Sequence, residues 1–86
     1  MMEFEELNRL ALEIVYKLRV GEVAYAFSLY PGLISGLLAI LDVNDREAFG
    51  PLFAEMLKAQ EHSNVVWLAD LIEYVLLDSL NAVKHR

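Results

Sequence analysis

The chain contains no cysteine. It therefore has no disulfide framework, and no thiolate with which to hold zinc or attack a substrate. Proline and glycine are scarce, two and four in 86 residues, and no stretch reads as a flexible linker or a low-complexity segment. Basic residues are also few. Seven Lys and Arg against thirteen Asp and Glu leave a formal charge of −6. This argues against nucleic acid as a partner, because phosphate binding needs clustered Lys and Arg. The opening Met1-Met2-Glu3-Phe4-Glu5-Glu6 is acidic where a secretory signal needs a basic start, so the expected compartment is the cytoplasm. Strand-like alternation is missing as well, whereas helical spacing persists through most of the chain.

What the chain has in excess is apolar material. Its 57% apolar content exceeds the roughly 45–50% usual in soluble domains. A chain of this length forms one small domain, which has a modest core. Self-association would use the surplus, and we expect a homodimer. Charge is absent from residues 23–41 altogether. That run could cross a hydrocarbon core of about 30 Å as a helix. Pro31 and Gly32 stand at its middle, however, where a helix break would leave backbone groups unsatisfied in lipid. We therefore expect a buried central element and no membrane span. Gly32 and Gly36 have the spacing that lets two helices approach closely.

The pattern predicts an all-α bundle of four to five helices over residues 1–86. The first covers 3–19, with Phe4, Leu7, Ala11, Ile14 and Leu18 in one stripe, acidic residues at its start, Lys17 and Arg19 at its end, and Gly21 as the stop. In a second stretch Pro31 either kinks the helix or starts a new one; we read 22–30 and 31–42, and the latter is expected to form the core. Residues 43–45 read as a turn, with Asn44 as a cap and Glu47 three positions on. A helix from Pro51 to about Gln60 follows. Ser63 is the expected N-cap of a last helix over 64–82. There Val65, Leu68, Ala69, Ile72, Val75, Leu76, Ser79, Leu80 and Val83 share one face. Val66 and Leu77 fall in the opposite, polar stripe, with Trp67 and Tyr74 at its edge. Apolar residues on a polar face mark a contact surface.

Chemistry is thinly represented. Asp70 and Glu73 share a helix face, but no Glu-x-x-His pair accompanies them, and we expect no metal and no cofactor. Ser63 lies beside His62 without a third group or an oxyanion site, so no catalytic residue is expected. No glycine-rich phosphate loop is present. The segment Ser63-Asn64-Val65-Val66-Trp67-Leu68-Ala69-Asp70-Leu71-Ile72-Glu73-Tyr74 resembles the last helix of small helical bacterial proteins, with Leu-Ala-Asp, two apolar residues, then Glu-Tyr. The resemblance covers about twelve residues. It implies a compact helical domain and brings no activity with it.

These readings converge on a non-enzymatic interaction module. Val66, Trp67, Tyr74 and Leu77 would form the contact surface, and the partner would present an amphipathic helix. The alternative is a small apolar-ligand binder whose pocket is lined by Tyr25, Tyr30 and Trp67.

Overall fold

The computed structural model describes residues 3–85. It is all-α, and among the described residues there is no strand. Helix α1 is Phe4–Arg19, α2 is Val23–Ile40 and α3 is Val43–Glu61. We number the last helix, residues 65–84, as α4. It is α-helical over Val65–Asp70, π-helical over Leu71–Leu76 and α-helical again over Leu77–Lys84. The bundle measures 34 × 23 × 19 Å.

Helix α1 starts where expected. The Glu6 carboxylate accepts from the Glu3 backbone N–H at 3.5 Å, and Leu7, Ala11, Ile14, Val15 and Leu18 are buried. It ends on Gly21 at φ +86°, with Gly21 N–H donating to Leu18 O and Glu22 N–H to Lys17 O. That crossed pair satisfies two terminal carbonyls and requires the left-handed backbone that glycine adopts freely.

Both prolines overturn the predicted breaks. Helix α2 runs unbroken through Pro31 and α3 runs unbroken through Gly50-Pro51. Pro31 and Pro51 are exposed, on the outer side of their helices, where a carbonyl that loses its helical donor can turn to water. Residues 43–45 are likewise the first turn of α3 instead of a loop. Its cap is Asp42, whose carboxylate accepts from Asp45 N–H at 2.8 Å, and not Asn44. Ser63 does not cap α4. It takes φ +53° as the left-handed residue that ends α3, and Asn64 is the cap, accepting from Trp67 N–H at 3.1 Å.

The order of packing also differs from the sequence reading. Helix α1 packs on α2 to one side and on α4 to the other, and α4 packs on α3. The centre is therefore α1 with α4. The apolar segment expected to be the core belongs to an outer helix, and only five of the 18 residues of Val23–Ile40 are buried. Its inner face, Ala26, Tyr30, Leu33, Gly36 and Leu37, rests mainly on α1. An outer position has one neighbouring layer to bury against, so hydropathy all round cannot all be used. In α4 the wide π turn shifts the helical phase: Leu68, Ala69, Ile72, Leu76 and Leu80 are buried, but Val75 is exposed.

Candidate contact groove between the first and last helices

Helices α1 and α4 run antiparallel, and their side chains meet in sequence along a seam. Lys84 Nζ lies 3.9 Å from Glu5 Oε1 at one end. Towards the other end Arg19 grips α4: its Nη2 donates to Asp70 Oδ1 at 3.0 Å and to Glu73 Oε1 at 2.8 Å, and its Nε donates to Glu73 Oε1 at 3.2 Å. Glu73 first, then Asp70, raises the Arg19 pKa above its ordinary value. The two acids lie one turn apart where the α-helix gives way to the π segment, which is why one guanidinium reaches both. The two carboxylates that share a face of α4 are thus held from α1. Among the described residues, no group of three or more His, Asp or Glu gathers in metal-ligating geometry.

The grip divides the seam into two depressions. The larger, about 470 Å³, is lined by Asn8, Leu12, Glu73, Tyr74, Leu77, Asp78 and Asn81. The smaller, about 410 Å³, is lined by Leu18, Arg19, Gly21, Val65, Val66 and Ala69. Leu12 is 51% exposed and Tyr16, one turn along, is 61% exposed. The Asn8 side-chain oxygen is buried and has no hydrogen-bond partner, a state that costs about 1–3 kcal/mol.

The four residues picked from the last helix therefore separate. Tyr74, 65% exposed, and Leu77, half-buried, line the larger depression. Val66, 66% exposed, lines the smaller one beyond the Arg19 grip. Trp67 lines neither and packs, half-buried, against the core. Gly36 is buried on the inner face of α2. Gly32 is exposed, and an added Cβ there would meet Leu10 Cδ2 at 3.9 Å, an ordinary contact that does not require glycine.

Tyr25, Tyr30 and Trp67 line neither depression. Tyr30 is 6% exposed, and burial pushes its phenol up to about 12. Tyr25 is half exposed and lies under Lys17, whose Nζ sits 4.9 Å from the Tyr25 ring centroid and 5.8 Å from that of Tyr16. Glu22 accepts from the same ammonium at 2.9 Å and raises its pKa.

Leu12 and Asn8, which line the larger depression, escaped the sequence reading. The signal was present: Leu12 and Tyr16 lie one turn apart outside the α1 apolar stripe, the same inconsistency that exposed Val66 and Leu77 on α4. No protein-family model matches the chain, and neither curated proteins nor solved structures provide a match.

Proposed function

We propose that this protein is a non-enzymatic interaction module, cytoplasmic and homodimeric, whose α1/α4 seam takes an amphipathic helix from another protein. The observation that carries this reading is the set of exposed apolar side chains along the seam: Leu12 from α1, Tyr74 and Val66 from α4. Two antiparallel helices make a groove, and a third helix lies in it by placing large apolar residues at i, i+3, i+4 and i+7. The charged groups along the seam are Glu5, Asp70, Glu73 and Asp78 against Arg19 and Lys84, so the rim is acidic and favours a partner with lysine or arginine beside its apolar stripe. The small-ligand reading is weaker, because the depressions are open and Tyr25, Tyr30 and Trp67 do not line them.

The test is a titration with an 18-residue Leu/Lys amphipathic peptide, and with its Leu/Glu counterpart, followed by amide NMR shifts. Shifts confined to α1 and α4 with the Lys peptide, lost in Tyr74→Glu, are the expected result. Equal binding of both peptides, or binding that Tyr74→Glu leaves unchanged, would remove the seam from the account.

A further inference from the structure

Helix α2 carries no charge over its 18 residues, and the bundle leaves its outer side open. Its exposed residues all lie within one face of the helix. Their positions are symmetric about a point between Pro31 and Gly32. Ala24 and Ala39 lie at equal distances from that point, and so do Ser28 and Ser35. The two large exposed side chains, Tyr25 at 50% and Leu38 at 43%, form the third such pair. We propose that this face is an antiparallel, two-fold interface between two copies of the chain. The inference rests on the homodimer reading above and names its surface.

A two-fold contact uses the same patch on both partners, so its pattern must complement itself on reversal. Centring the axis on residues 31 and 32 brings Ser28 level with Ser35 of the second copy, and Ala24 level with its Ala39. The two helices can then approach closely along a line of small side chains. At each end, Tyr25 of one copy stands level with Leu38 of the other, on opposite sides of that line, so neither blocks the approach. Charge selects the same occupant. Each copy has a net charge of −6, and α2 is the helix on which two such molecules can meet without juxtaposing like charges. Acidic Glu22 and Asp42 flank it, which disfavours an anionic lipid surface. The helix is about 27 Å long and offers one face. Such an area is below the ~800 Å² per partner that stable complexes bury, so the dimer should be reversible, with a Kd of roughly tens of micromolar.

Sedimentation equilibrium from about 10 µM to about 1 mM tests the proposal. The expected result is a mass that rises from monomer to dimer. Ser35 is exposed, so Ser35→Glu should leave the monomer's circular dichroism unchanged and weaken the dimer about tenfold or more. Ser28→Lys combined with Ser35→Glu should restore it, since only the antiparallel register sets residue 28 against residue 35. A monomer throughout would overturn both this surface and the homodimer reading. A dimer that Ser35→Glu leaves intact and Tyr74→Glu disrupts would move the contact to the α1/α4 seam, overturning this surface alone. Flotation on neutral phosphatidylcholine vesicles that Ser35→Glu abolishes, with no dimer in solution, would make the face a lipid contact and defeat the proposal.

Discussion

Helices α1 and α2 are neighbours of similar length that pack on one another, and each buries five residues. Their other sides could hardly differ more. Helix α1 has Glu5, Glu6, Arg9, Glu13, Lys17 and Arg19, whereas α2 has no charge at all. Hydropathy therefore does not rank these helices by burial. What an element buries is set by how many layers surround it, and α2 lies outside the α1/α4 centre. The informative feature is the outer face of α2, where a solvated helix usually carries charge and this one carries none.

The largest test of that contrast is a pair of truncations. Ile14 on α1 is fully buried, and Ile14→Ala should cost about 2–5 kcal/mol of unfolding free energy in urea. Leu38 on α2 is 43% exposed, and Leu38→Ala should change stability by no more than about 0.5 kcal/mol. Both are measured at low micromolar concentration, where self-association contributes little. A loss near 2 kcal/mol for Leu38→Ala under those conditions would mean that the outer face of α2 is already covered within one chain.

The inner face of α2 makes a second, pH-dependent prediction. Burial pushes the Tyr30 phenol up to about 12, against about 10 when unfolded. The folded chain therefore keeps this proton after the unfolded chain has lost it. Stability is full below pH 10 and falls as pH rises towards 12, by about 1.4 kcal/mol per pH unit from this group. Lys17, whose pKa is also raised in the fold, loses its contribution in the alkaline range as well, but does so equally in a Tyr30→Phe variant. Melting temperatures from pH 9 to 12 should consequently fall more steeply for the parent than for Tyr30→Phe. Parallel curves would place the Tyr30 hydroxyl in water.

The sequence made α1 legible almost to the residue, because its apolar stripe, its end charges and Gly21 all agree. The all-α class followed from the same periodicity. It misled at both prolines, where a breaker was read without knowing that its side of the helix faces water. It misled again in ranking 31–42 as the core, because hydropathy says how much surface wants burial and not how many neighbours are available. Within the candidate site, Val66 and Leu77 were visible as apolar residues on a polar stripe, with Trp67 and Tyr74 at its edge. Of the two edge residues, Tyr74 is exposed, whereas Trp67 is half-buried against the core. The Arg19 grip on Asp70 and Glu73 was out of reach, since it joins positions 51 and 54 residues apart.

The smallest effect concerns the turns by which the chain passes between inner and outer helices. Gly21 joins α1 to α2 and Ser63 joins α3 to α4, and the two turns share one pattern of crossed hydrogen bonds. At Ser63, N–H donates to Gln60 O at 3.1 Å, and Asn64 N–H donates to Ala59 O at 2.9 Å. Both turns need a left-handed residue, with φ +86° at Gly21 and +53° at Ser63, and only the first has the amino acid suited to it. A side chain in that region costs about 1–2 kcal/mol, partly offset by the greater freedom glycine gives the unfolded chain. Ser63→Gly should therefore raise stability by about 0.5–1 kcal/mol, and Gly21→Ser should lower it by about 1 kcal/mol, both read from the urea midpoint. No atom lies near enough to clash with a Cβ at position 21, so the loss there would report backbone conformation alone. Opposite signs of similar size would mean that the two turns act locally and alike. A much larger loss at Gly21 would mean that this turn also governs how α2 is laid against α1, and the contrast between the two helices would then begin at their junction.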